Sequence, residues 1–280
     1  MNRIIRNEEE SIKLRKFIDL KQHSALEKEC LKLEKEEARR RTQAFRKSNT
    51  DVKDKIEEKI PPKVYETLQK AFAKSFEIVF EKGVGIIEKT YDKEELLKNY
   101  EIDHFAIQKK GSRKEFKTLH SHAKVSGRVN MLLSTVEGTL LGILGIGMPD
   151  IVLFTGMLLK GAYETALHYG YDYDSDAERY LILLLLEGAL AKEDTYVEME
   201  KGINKILANG SLSTPTKDIL QEQIVQTSNA MAADMLVMKF VQGLPLVGLV
   251  GGITNPIYYN KIIGYIQLKY RKRYLLDQRK

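Results

Sequence analysis

Five histidines, one cysteine and a few carboxylates in apolar surroundings are the side chains of this 280-residue sequence with the means to do chemistry. His120 and His122 are two residues apart, which on a helix places them about 200° apart on opposite faces, so they cannot share a metal ion. No His-Glu-x-x-His occurs, and His23, His104 and His168 are isolated, so no metal and no other cofactor is expected. Cys30 excludes an intrachain disulfide by being single, and with no histidine nearer than His23 it makes a poor catalytic thiol. Asp172, Asp174 and Asp176 resemble the opening of a calcium loop. The sixth position should then be glycine and the twelfth glutamate, and they are Ala177 and Leu183. A turn and cap is the better reading: Asp174 or Ser175 accepts amide hydrogen bonds at a helix start, and Asp176 and Glu178 suit its dipole.

Gly83-Val84-Gly85 and Gly142 to Gly147 are glycine-rich, yet neither follows a strand or ends in the Gly-Lys-Ser/Thr of a phosphate loop. No Gly-x-Ser-x-Gly is present. Glu137 and Asp150 are notable because apolar residues surround them, and a buried carboxylate must be paired, capped or protonated. Lys160 and Glu164, four apart, share a helix face. Asp150, Lys160 and Glu164 are thus a candidate buried polar cluster, read here first as structural and second as a ligand site. No catalytic residue is assigned.

The elements that must position these residues all read as helices. Residues 8–48 hold no glycine or proline and are dense in Glu, Lys, Arg and Leu, the composition of a long exposed helix. Their apolar positions keep no strict heptad, so no stable two-stranded coiled coil is expected, and packing against the body or self-association through a loose stripe stays open. After Pro61-Pro62 the helical period is clean: Val64, Leu68, Ala71 and Ser75 form one stripe, and Phe72, Phe76, Val79, Gly83 and Ile87 an adjacent one. Asp92 and Glu95 form a capping box for a helix over 93–101. Further helices follow over 113–147, 151–169, 176–192, 195–208, 216–240 and 256–277, with Pro215 at the first position of the 216–240 helix. No run alternates like a strand. The expected fold is all-α, a bundle of roughly eight to ten helices with glycine-rich central helices. Residues 1–60 read as a charged helical extension and 61–280 as the main domain.

Two apolar segments, 138–159 and 240–260, are about as long as a membrane span, on the order of 20 residues. Both are interrupted, by Pro149-Asp150 and by Pro245, Gly251-Gly252 and Asn255-Pro256, so neither is a simple spanning helix. Ser134, Gly138 and Gly142 have the spacing that lets helix backbones approach closely. Both segments are expected to be buried core or to contact a membrane. In the last helix Tyr259, Ile263, Ile266, Tyr270 and Tyr274 form one apolar-aromatic stripe, and Lys269, Arg271, Lys272 and Arg273 crowd its end. Rings at headgroup depth with cations toward phosphate is the pattern of an interfacial helix. A core stripe whose cations complement the helix C-terminus fits the same residues.

Charge is uneven. The chain carries +6 overall, with +4 in residues 1–60, +6 in 261–280 and −4 between. Basic ends suit anionic lipid, nucleic acid or solubility alone. No ribonucleoprotein aromatic pattern, zinc finger or helix-turn-helix appears, so nucleic acid is not an expected partner. The opening MNRIIRNEEE places glutamates where a signal peptide needs an apolar region, which argues against secretion by that route.

The residues Gly147-Met148-Pro149-Asp150-Ile151, then Lys160 and Glu164, then Tyr169-Gly170-Tyr171-Asp172 and Glu178-Arg179 opening the apolar helix Tyr180–Leu186, resemble the EcsC family over roughly 61–280. In bacilli, members of that family are encoded beside an ABC exporter, with an ATPase and a membrane subunit as neighbours. The resemblance implies an all-α protein near a membrane and leaves the activity open. Lys160 stands where an arginine is frequent, which weakens a bidentate anion-binding role there. The expectation is therefore a cytoplasmic, membrane-peripheral helical protein that accompanies an ABC-type exporter and works by binding anionic membrane or transporter subunits. The rival is a lipid- or hydrophobe-binding protein, or a hydrolase-like enzyme, with a pocket of more than about 300 Å³ between the glycine-rich helices at Asp150, Lys160 and Glu164.

Overall fold

The structure, a computed structural model, describes residues 2–45, 61–126, 149–241 and 256–280. Every regular element among them is helical: α1 (Asn2–Phe45), α2 (Pro62–Ile78), a π turn (Val79–Gly83), α3 (Val84–Glu88), α4 (Lys93–Lys110), α5 (Arg113–Ser126), α6 (Pro149–His168), α7 (Asp176–Leu190), α8 (Glu193–Ala208), α9 (Lys217–Val241) and α10 (Pro256–Asp277). The fold is an all-α multi-helix bundle. Most of the glycine-rich stretches, with Ser134, Gly138 and Gly142, lie outside the described residues, and so do the central parts of the two long apolar segments. No described helix is long and apolar enough to cross a membrane.

Local chemistry sets the ends. Asp92 Oδ1 accepts the Glu95 amide at 2.9 Å, and Gly111, at φ 56°, closes α4. That helix continues nine residues beyond the expected end at 101, because nothing before Gly111 breaks it. Ser175, and not Asp174, caps α7 by accepting the Glu178 amide at 3.2 Å. Thr216 caps α9 through the Ile219 amide, so Pro215 lies outside that helix.

Helices α6, α7 and α10 form the centre. α6 packs on α2, α4, α5 and α10, and α7 on α8, α9 and α10. A helix covered on several sides needs no polar face, so the Leu-rich run Leu181–Leu186 is buried nearly all round. Each such side chain is worth about 1.5–3 kcal/mol. The α2 stripes are core as expected, with Leu68, Phe72, Ser75, Phe76, Val79 and Ile87 buried. The π turn keeps this run on one face through Ile87.

Of the two roles open to the apolar stripe of residues 8–48, packing against the body is the one seen in α1. Ala25, Leu26, Cys30 and Leu33 are buried in the common core, and α1 packs on α10, α5, α8 and α4. Phe17, Leu20 and Leu31 stay exposed.

Candidate functional site

The cationic end of α10 is turned inward. Tyr259, Ile263, Ile266, Tyr270 and Tyr274 are all buried, as are Lys269, Arg271 and Arg273. The expectation that these residues meet lipid is therefore corrected. The structure offers carboxylates to each cation, and three of those carboxylates come from α1. Lys269 Nζ, with 0% of its side chain exposed, donates to Glu37 at 2.7 Å, to Glu200 at 2.6 Å and to Asn204 at 3.1 Å. Arg271 meets Glu29 at 2.8 Å and Glu36 at 3.1 Å. Lys272, partly exposed, donates to Glu37 at 2.8 Å. Burial alone would raise the Glu37 carboxyl, but the Lys269 and Lys272 ammonium groups outweigh it and hold it below the usual range. The cations of α10 and the acidic positions of α1 thus neutralise each other.

The Tyr-Gly-Tyr-Asp turn and the Glu-Arg pair are joints of the same kind. Gly170 has φ 78°, and a Cβ there would overlap the Tyr100 ring. Tyr171 donates to Asp277 at 2.7 Å. Asp172 accepts the Asp174 amide at 3.2 Å, an Asx turn, and Lys93 sits between Asp172, Asp174 and Glu88. Glu178 is buried. It accepts from Arg273 Nη1 at 2.8 Å on both oxygens and from the Tyr270 hydroxyl at 2.5 Å. Arg179 pairs with Asp176 at 3.2 Å. The whole motif locks the α6–α7 turn onto α10. Gly170→Ala should cost about 1–3 kcal/mol in denaturant unfolding, from the left-handed backbone and the ring overlap together.

Lys160 and Glu164 come together as spaced, at 3.6 Å, with Lys160 Nζ also donating to the Thr90 carbonyl at 3.1 Å. Burial pushes the Glu164 carboxyl up to about 7, and Lys160 only partly opposes it. The side chains of Pro149 and Asp150 lie outside the described residues, so the three-residue cluster is described as a pair. A Cβ on the adjacent Gly161 would run into Tyr259 and Ile263 of α10. Close helix approach fills this region.

The site that sequence reasoning missed lies elsewhere. A cleft of about 470 Å³ opens where the C-terminal part of α1 and the end of α5 meet α10, with Tyr169 in its wall. Arg39, Arg40, Lys124, Lys261 and Arg271 line it together with His120, and Glu36 is its one carboxylate. Neither Asp150, Lys160 nor Glu164 lines it. Among the described residues Arg39, Arg40 and Lys124 have no ion-pair partner, while Lys261 is 3.6 Å from Asp234. Arg40 lies over the Tyr265 ring at 5.5 Å, and burial lowers its pKa. His120 is buried. Desolvation, then the charges of Arg271, Lys32 and Lys124, hold it well below the usual histidine range, so it is neutral at neutral pH. Its Nδ1 shares a hydrogen bond with the Tyr169 hydroxyl at 3.1 Å. Its Nε2 and the Arg271 Nε are buried without a hydrogen-bond partner. No periodicity could have exposed this cleft, since its cations come from positions 39, 40, 124, 261 and 271.

Among the described residues no cluster of histidine, cysteine, aspartate and glutamate could hold a metal ion. The arrangement has the chemistry of anion binding: fixed positive charge and guanidinium forks around a concave surface, with a neutral imidazole in its wall.

Comparison with curated proteins and with solved structures returns no match. A family model described as the EcsC protein family matches residues 24–275. The match starts inside α1, just before its first described buried residue, Ala25, and runs almost to the end of α10, so it takes in the joints and the cleft alike. By the extent of that match, the chain belongs to the EcsC protein family.

Proposed function

We propose that this protein is a non-catalytic helical binding protein that works at the cytoplasmic face of a membrane beside an ABC-type exporter, and that its cationic cleft is the part that meets anionic lipid. The cleft is the observation that carries this reading. Arg39, Arg40 and Lys124 gather at one opening without an ion-pair partner among the described residues, beside Lys261 and Arg271, which are paired, while the cations of α10 outside it are spent on internal pairs. A basic group near an anionic surface is worth about 1 kcal/mol, so a few unpaired ones are enough for reversible attachment. The setting beside an exporter rests on family membership and on what the resemblance implies for members.

Fractionation of cells producing the full chain tests the reading. The wild type should pellet with membranes and be released by a high-salt wash, because about 1 M salt shortens the screening length to about 3 Å. Arg39→Gln with Lys124→Gln should move the protein to the soluble pool. Lys201→Gln with Lys205→Gln, which removes the same charge from exposed positions on α8, should not. Identical partitioning of the two double variants would overturn the assignment of the cleft.

A further inference from the structure

We infer that the cleft is a stoichiometric site for one phosphate group, more specific than a diffusely attractive surface. This rests on the reading of the cleft as the anion-contacting face and names the ligand chemistry of that face.

Three observations point to it. The first is size and shape. About 470 Å³ falls within the range of small-molecule sites, roughly 300–1,000 Å³, and suits a headgroup better than a flat membrane patch. The second is donor chemistry. The cleft presents the forks of Arg39 and Arg40 and the ammonium groups of Lys124 and Lys261, several donors converging from three helices. Such a set is matched by an anion carrying more than one charge and more than two acceptor oxygens. Phosphate has both, and Arg forks meet its oxygens two at a time. The third is unfinished hydrogen bonding. His120 Nε2 and Arg271 Nε, on side chains that line the cleft, make no hydrogen bond, with Glu29 Oε2 3.8 Å from His120 Nε2. A buried polar atom without a hydrogen bond is costly, and an oxyanion in the adjoining cleft adds acceptors on that side. Glu36, the one carboxylate of the wall, is engaged by Arg271 at 3.1 Å. It therefore balances that guanidinium and leaves Arg39, Arg40 and Lys124 for the ligand.

The phosphate could belong to a lipid headgroup or to a soluble molecule, and the probes separate these. Inorganic pyrophosphate is titrated into the full-length protein by calorimetry, with citrate as an anion of comparable charge without phosphorus. Saturable one-to-one binding of pyrophosphate, weaker for citrate, is expected. Arg39→Gln with Lys124→Gln should weaken pyrophosphate binding at least about tenfold, the loss of roughly one charge-assisted hydrogen bond, and Lys201→Gln with Lys205→Gln should leave it unchanged. Titration should also move the ring resonances of His120. The variants alter exposed side chains, and an unchanged unfolding midpoint verifies that they fold. Flotation with phosphatidylcholine vesicles, with and without phosphatidic acid, assigns the source: binding to phosphatidic acid vesicles that pyrophosphate displaces identifies a headgroup, and pyrophosphate binding without flotation identifies a soluble phosphate. Flotation that depends on Arg39 and Lys124 while pyrophosphate neither binds nor competes would overturn the phosphate site and leave the membrane reading standing. Absence of both would overturn the two together.

Discussion

Replacing Glu178 with alanine should destabilise the protein by about 3–5 kcal/mol, the cost of removing one partner from a buried charged pair. The carboxylate accepts from Arg273 Nη1 at 2.8 Å on both oxygens and from the Tyr270 hydroxyl at 2.5 Å. Its loss leaves a guanidinium and a phenol buried near each other with no acceptor. Arg273 also lies over the Tyr171 ring at 3.7 Å, which fixes its position and prevents it from swinging to water. Read from sequence, Glu178 is a first-turn acid that suits the dipole of its helix, worth about 0.3–1 kcal/mol. Denaturant unfolding therefore separates the two roles by several-fold. Glu178→Gln should lie between wild type and alanine, since it keeps an oxygen for Tyr270 and loses the charge. Adding Arg273→Leu to the alanine variant should recover part of the loss, because no buried charge is then stranded.

Two buried groups of opposite sign should contribute strongly to the pH dependence of stability. Burial raises Glu164 to about 7, against the attraction of Lys160, with Tyr259 of α10 facing it. Its contribution is present below the unfolded carboxyl value near 4.5 and is lost as pH rises through 7. Burial, with His122 nearby, lowers His168 to about 4. Its contribution is present above the unfolded histidine value near 6.5 and is lost as pH falls through 4. Each is worth about 3 kcal/mol across its window. Between about pH 4.5 and 6.5 these two oppose each other, while His120, also held well below the usual histidine range by burial, adds to the loss of stability as pH falls. Glu164→Gln should stabilise by about 3 kcal/mol at pH 8, change little at pH 4, and steepen the loss of stability from pH 6.5 downward. Urea midpoints across pH 4–8 check this, and a wild type and variant that stay parallel would mean that folding does not shift Glu164.

Much of the architecture was legible in the residues. The α2 stripes, the Asp92 cap and the Leu-rich α7 follow from periodicity and capping chemistry, which act within a few residues of chain. The spacing of Tyr259, Ile263, Ile266, Tyr270 and Tyr274 correctly marked one helical face, yet spacing cannot say whether such a face meets lipid or protein. A buried α10 with three interior cations looked, by composition, like a surface helix. The carboxylates that make it tolerable inside, Glu29, Glu36 and Glu37, are more than 200 residues away.

The sequence by itself determined the helices, their punctuation and the family, because hydrophobic period, caps and motif spacing are local properties of the chain. Tertiary structure alone decided which charges are neutralised and which remain. It brought α1 onto α10, so that two basic ends became one ion-paired interior, and it left Arg39, Arg40, Lys124 and Lys261 around a cleft. The reason is physical: the energy of a charge depends on its solvent and its neighbours within a few ångströms, and neither is set by position along the chain.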